Sequence, residues 1–286
     1  MRFGALLMYE RLSEPDFLVN AGRLVEELGF DSVWLADHVV VPSGYSSVYP
    51  YNAEGRVPME RYPEPLVSLA LLAGVTSRIT LGTAVLVLPQ RNPILLAKQV
   101  ATLDAIAGGR VRLGVGVGWL REEFEALGAE FAQRGARADE YIDAMRALWT
   151  EDEPRFKGEH IELDGSFALV PRPPRPGGVS IVVGGHSPAA ARRAGRRGDG
   201  FFPFTIDPGT LTPLYDLVRD EAATTGRSID DIELIGPTTT LPGWMQQLED
   251  MGVTHAVMPS GPPDADFERL KSRLGRFSER VIEPAR

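Results

Sequence analysis

The chain has 286 residues, 43% hydrophobic and 24% charged, with a net charge of −9 and no cysteine. That balance supports a buried globular core, and the acidic surplus argues against a nucleic-acid partner, whose affinity rests on lysine and arginine neutralising phosphates. Disulfides, Fe–S clusters and thiolate chemistry are excluded, and the scattered His38, His160, His186 and His255 lack the paired spacing of a zinc site, so no metal is expected.

The first apolar run, 2–7, reaches Glu10 and Arg11 too soon for a signal peptide and reads as a strand. No window approaches the ~18 uninterrupted apolar residues of a membrane span, so a cytoplasmic protein with no membrane partner is expected. Ser13, with Asp16 three residues on, opens a helix that Gly29 closes. A second strand, 32–36, ends at Asp37 and His38. The stretch 37–63 has no helical period and is rich in proline and tyrosine, including Tyr45, Tyr49 and Tyr51. So long an irregular loop predicts an ordered lid or pocket wall.

Apolar runs without alternation follow at 80–87 and 111–117, as in strands buried on both faces of a parallel sheet. Between them Asn92 and Pro93 open a helix that Gly108 and Gly109 stop. Glu122, Glu123 and Glu125, and the Arg137/Tyr141 pair, read mainly as helix-surface groups. The segment 151–178 reads as a hairpin turned by Asp164 and Gly165, followed by a stiff proline-rich connector. Strands at 180–183, 200–204, 232–235 and 255–258 complete eight β/α alternations. The expectation is one domain, 1–286, folded as a (β/α)8 TIM barrel with insertions after strand 2 and at 151–178. A doubly wound sheet is the rival.

Three places carry candidate chemistry. Asp37 and His38 follow a strand, where a carboxylate and an imidazole reach the barrel mouth and can move protons. Gly114, Gly116 and Gly118 alternate along a strand, which admits a flat ligand or simply eases packing. Gly184, Gly185, His186 and Ser187 lie between a strand and a helix opened by Pro188, a place that favours phosphate through free amides and the helix dipole. Arg192, Arg193, Arg196 and Arg197 extend that positive field toward an anionic tail.

Taken together, residues 29–38, 78–119 and 182–200 resemble the luciferase-like monooxygenase superfamily, and within it the coenzyme F420-dependent oxidoreductases. The resemblance implies a (β/α)8 barrel holding a deazaflavin or flavin at its mouth. It implies a bulge, often with a non-prolyl cis peptide, that supports the ring at Gly82, Thr83 and Ala84, with Asp37 at the ring edge and His38 near the transferred hydride. Gly116, Gly118 and Glu122 join the cofactor contacts, and 184–187 hold the phosphate. FMN-using members often carry tyrosine and histidine around 133–137, where this chain has Gly135, which favours F420 over FMN. The substrate lysines of the sugar-phosphate dehydrogenases are absent after Asp199 until Lys271, so the expected substrate is another small organic molecule under the Tyr45, Tyr49 and Tyr51 loop. Relatives imply a homodimer. The alternatives are a reduced-FMN monooxygenase and a cofactor-binding barrel without turnover.

Overall fold

The computed structural model describes residues 1–50, 52, 54–57, 61–239 and 243–286. Its eleven described strands are β1 (Arg2–Leu7), β2 (Ser32–Leu35), β3 (Thr80–Thr83), β4 (Leu86–Val87), β5 (Val111–Gly116), β6 (Arg155–Lys157), β7 (Glu162–Asp164), β8 (Ser180–Gly184), β9 (Gly200–Phe202), β10 (Glu233–Pro237) and β11 (His255–Pro259). Around them lie α1 (Pro15–Glu27), α2 (Pro65–Val75), α3 (Pro93–Ile106), α4 (Arg121–Ala126), α5 (Arg134–Thr150), α6 (Pro188–Arg197), α7 (Pro208–Thr224), α8 (Trp244–Asp250) and α9 (Phe267–Phe277). All strand pairings in the large sheet are parallel, and β3–β5 and β1–β11 contacts close it. The result is the expected (β/α)8 barrel, with β3 and β4 sharing one strand position.

The continuous apolar runs have a simple cause, because each strand buries both faces. Outward residues such as Phe3, Leu35, Leu81 and Leu113 pack under the helices. Inward residues Leu6, Trp34, Val182, Phe202, Ile235 and Val257 fill the barrel itself. Below this plug runs a polar chain. The Trp34 Nε1–H donates to Ser32 Oγ at 2.7 Å, Ser32 Oγ meets His255 Nε2 at 2.8 Å, and His255 Nδ1 meets Glu233 Oε1 at 2.8 Å. The Glu233 carboxylate accepts from Nδ1–H, so in the neutral ring Nε2 is the acceptor of the Ser32 hydroxyl proton. Gly4 leaves the room: a Cβ there would lie 2.3 Å from Ser32 Oγ.

Three local expectations are corrected. The strand read as 80–87 is broken, with a cis peptide at Ala84–Val85 between β3 and β4. Val85 turns inward, and its two methyls occupy the space a Cβ would need at Gly116 (2.5 Å) and at Gly184 (2.3 Å). The hairpin of β6 and β7 turns at 158–161 rather than at Asp164 and Gly165, because the Glu140 carboxylate on α5 accepts from the Glu159 and His160 amides. Asp164 instead turns the chain after β7, accepting from the Ser166 amide and hydroxyl. Ser13 ends a short 3-10 turn, and Glu14 stands at the start of α1 with Pro15 in its first position. Asn92 does cap α3, accepting from the Ile94 and Leu95 amides.

The Val85 seat makes a direct prediction. Gly116→Ala should destabilise the protein by about 1–3 kcal/mol, the usual cost of overpacking. Val85→Ala in the same chain should recover part of that loss, although it destabilises the wild type. Urea unfolding of the four proteins checks the reversal; equal costs in both backgrounds would refute the seat.

Candidate functional site

A cavity of about 510 Å³ opens at the C-terminal ends of the strands. An opening of about 740 Å³ lies at the opposite end, among strand beginnings such as Arg2, Ser180 and Glu233. Barrel enzymes build their chemistry at the C-terminal face, and the mouth gathers most of the sequence-derived candidates, so the site is placed there.

One wall comes from the segment after β2. Asp37 is buried, with Oδ2 accepting from the Val87 amide at 3.0 Å and Oδ1 from Arg91 Nη2 at 2.9 Å. Arg91 also pairs with Glu64 at 2.9 Å, at the start of α2. Burial pushes the Asp37 carboxyl above the usual range against the pull of Arg91 and the Val87 N–H. Asp37 thus braces β4 against the end of β2 while still touching the cavity.

His38 is held differently. Its Nδ1 lies 2.9 Å from Glu123 Oε2, and its ring lines the cavity. Glu123 is 1% exposed, and its Oε1 accepts from the Val39 and Val40 amides at 2.7 and 3.3 Å. Burial alone would raise the Glu123 carboxyl, but the His38 contact and the Val39 N–H outweigh it and hold the group below the usual range. An ionised Glu123 accepts a hydrogen bond from His38 Nδ1–H, which leaves Nε2 as the nitrogen available to a ligand.

The lid is ordered over its described residues. The Glu122 carboxylate accepts from the amides and hydroxyls of Ser46 and Ser47 at 2.7–3.2 Å, and these bonds, led by that from the Ser47 hydroxyl, lower it to about 2. Tyr49, Pro50 and Tyr62 reach the cavity, whereas Tyr45 stands behind Trp119 with Arg56 over its ring. Tyr51 lies outside the described residues.

On the neighbouring strand, where the Ala84 amide donates to the Leu35 carbonyl at 2.7 Å, Ala84 and Val85 bring the bulge to the cavity. Further round, Gly184, Gly185, His186 and Ser187 lead into α6, with Ser187 Oγ accepting from the Ala190 amide at 3.3 Å and Pro188 in the first turn. Gly185 has φ +115°, which only glycine adopts readily. Beside this turn stand Arg134, whose Nε donates to the Gly118 carbonyl at 3.1 Å, and Arg193, which pairs with Asp139 and donates from Nη2 to the Gly135 carbonyl at 2.9 Å.

The structure therefore brings together Asp37, His38, Ala84, Gly116, Gly118 and the 184–187 turn, and leaves three candidates off the wall. Gly82 lies beneath, where a Cβ would sit 2.2 Å from the Trp34 ring. Thr83 is turned to the Gly114 carbonyl, donating at 2.7 Å. Glu122 holds the lid. The arginine run is also redistributed: Arg192 and Arg196 pair with Glu221 on α7, and Arg197 with Asp143 on α5, leaving only Arg193 at the cavity. Arg137 is taken by Glu130. Sequence reading missed Glu123, Trp119, Tyr62 and Arg134. A buried glutamate beside an exposed one leaves no periodic signal in a six-residue helix; Trp119, directly after the β5 glycines, was the detectable one.

Among the described residues no group of histidine and carboxylate side chains is placed to hold a metal, and no helix is long and apolar enough to cross a membrane.

Comparisons with known proteins agree with this geometry. The family model described as luciferase-like monooxygenase matches residues 1–278. An uncharacterised protein of Mycobacterium tuberculosis is 36% identical over 286 residues, covering 96% of this chain and 97% of its own. An F420-dependent glucose-6-phosphate dehydrogenase of Amycolatopsis mediterranei is 35% identical over 226 residues, covering 77% of this chain and 63% of its own length. The crystal structure of a monooxygenase from Streptomyces bottropensis superposes with a TM-score of 0.80 over both whole chains at 21% identity, a likeness of fold.

Glu123→Gln tests the electrostatic core of the site. Because the folded carboxyl lies below its ordinary 4.5, its stabilisation is complete above that value and is lost as pH falls through the lower folded one. The variant should be less stable by about 1–3 kcal/mol at pH 7, with the gap narrowing only below about pH 4.5. Urea titrations from pH 7 to 3.5 measure it; a gap independent of pH would remove the charge from the argument.

Proposed function

The chain belongs to the luciferase-like monooxygenase family, and from that premise we propose that it is an F420-dependent oxidoreductase moving a hydride between the deazaflavin and a small organic substrate. The observation that carries the reading is that one cavity is lined by His38, its Nδ1 fixed on buried Glu123, by the Ala84–Val85 bulge next to it, and by the 184–187 turn.

The residues present fit such a cofactor. The bulge offers a flat apolar support, since Val85 is drawn into its glycine seat and the peptide edge faces the cavity. The α6 N-terminus, with Arg134 and Arg193, suits an anionic tail. A Cβ at Gly135 would come 3.2 Å from Arg193 Nη2, so a larger side chain would press on that guanidinium. When bound, F420 supplies a two-electron hydride donor or acceptor. The protein supplies position and a proton: His38 Nε2 exchanges it with the substrate, and Glu123 fixes the tautomer and stabilises the imidazolium. Asp37 positions this wall through Val87 and Arg91. Trp119 and the lid tyrosines exclude water. The relative named as an F420-dependent dehydrogenase supports the choice of ring. A reduced-FMN monooxygenase is the second reading, because the same bulge and phosphate turn serve an isoalloxazine.

Parallel titrations with F420 and FMN separate the two. The expected outcome is F420 binding at least about tenfold tighter, a difference of about 1.4 kcal/mol; the reverse preference would assign the flavin chemistry. His38→Ala should lower turnover by about 10²–10⁴, the usual worth of a general acid–base, with F420 affinity held within a few-fold. Binding without turnover on any substrate panel would make the barrel a cofactor carrier.

A further inference from the structure

The substrate side of the cavity supports a narrower statement, which rests on the cofactor reading above. With the ring assigned to the bulge and the anionic tail to the 184–187 turn, the remaining wall is Met8, Tyr49, Pro50, Tyr62, Trp119 and Phe204. None of these is ionised. Among the described residues Arg91 is engaged by Asp37 and Glu64, Arg56 by the Tyr45 ring and carbonyl and Arg121 by the Phe131 ring, and the exposed Arg61, which precedes Tyr62, does not line the cavity. Lys98, Lys157 and Lys271 lie on α3, β6 and α9, away from the cavity. A phosphate placed here would be desolvated with no counterion, which costs several kcal/mol per charge by order of magnitude.

The aromatic rings are fixed relative to one another. Trp119 meets Tyr49 at 5.2 Å and 67° and His38 at 6.0 Å and 83°, and His38 meets Tyr62 at 4.8 Å and 62°. Edge-to-face contacts of this kind fix the rings relative to one another and bring an aromatic wall to the cavity. The whole cavity that these rings help to line measures about 510 Å³. His38 Nε2 is a polar group offered to a substrate there, beside the Tyr49 and Tyr62 hydroxyls.

We infer that the substrate is an uncharged, planar, conjugated ring compound bearing a carbonyl, seated against Trp119, Tyr49 and Tyr62 with its oxygen toward His38, and that sugar phosphates are excluded.

Calorimetry on protein loaded with oxidised cofactor, F420 or FMN according to which binds, tests this without turnover. The probes are 1,4-naphthoquinone and 2-cyclohexen-1-one, with cyclohexanone as the puckered control and glucose 6-phosphate as the charged one. An aromatic contact worth about 0.5–1.5 kcal/mol predicts that cyclohexenone binds about two- to tenfold tighter than cyclohexanone, and that naphthoquinone binds tighter still. Glucose 6-phosphate should give no heat at the same concentrations. Trp119→Ala and Tyr62→Ala should each weaken naphthoquinone by about fivefold or more, in the range of lost aromatic contacts, while cofactor affinity stays within twofold. Equal binding of cyclohexanone, binding of glucose 6-phosphate, or naphthoquinone affinity unchanged in both variants would overturn the inference. Because the cofactor is chosen by prior titration, a preference for FMN sinks the F420 reading alone, whereas failure of the planar probes on F420-loaded protein sinks this inference alone.

Discussion

The mouth of this barrel depends on the seat that Gly116 and Gly184 leave for Val85. Two neighbouring strand positions give up their side chains, and a third strand drops a valine into the gap. With Val85 drawn inward, the peptide that precedes it is turned across the strand end and faces the cavity, and the strand resumes at Leu86. Val87 then donates its amide to Asp37, so the same break that shapes the floor also fixes the start of the loop carrying His38. A packing constraint inside the barrel is thereby transmitted to the position of the His38 imidazole.

Electrostatics reinforce that arrangement from the other side. Glu123 gathers the His38 ring and the Val39 and Val40 amides, and its neighbour Glu122 gathers Ser46 and Ser47, so one short helix anchors both His38 and the loop that follows it. Glutamates adjacent in sequence do different work because the helix sends one into the protein and the other along its surface. The guanidinium groups are shared out likewise: Arg192 and Arg196 meet Glu221 on α7 and Arg197 meets Asp143 on α5, while Arg193 meets Asp139 on α5 and also, like Arg134, donates to a backbone carbonyl at the mouth.

Much of the fold was legible in the sequence because strands buried on both faces read as unbroken apolar runs, and Asn92, Gly29 and Gly108 punctuate helices by local chemistry alone. Asp37, His38 and the 184–187 turn were legible for the same reason, since residues just past a barrel strand arrive at the mouth. What was not legible depends on partners distant in the chain. The 158–161 turn is chosen by Glu140, the arginine run is claimed by Asp139, Asp143 and Glu221, and Glu123 is buried by a loop more than eighty residues away. The glycines at 116 and 184 were read as places where a flat ligand or a phosphate comes close, and the structure sets the Val85 methyls against both.

The most direct measurement is a crystal structure of the protein loaded with F420. The prediction is a deazaflavin ring lying against the Ala84–Val85 peptide within reach of His38, with its phosphate at Gly185 and Ser187 between Arg134 and Arg193. A ring bound away from the bulge, or a phosphate held at any other turn, would contradict the central claim that the Val85 seat builds the cofactor site.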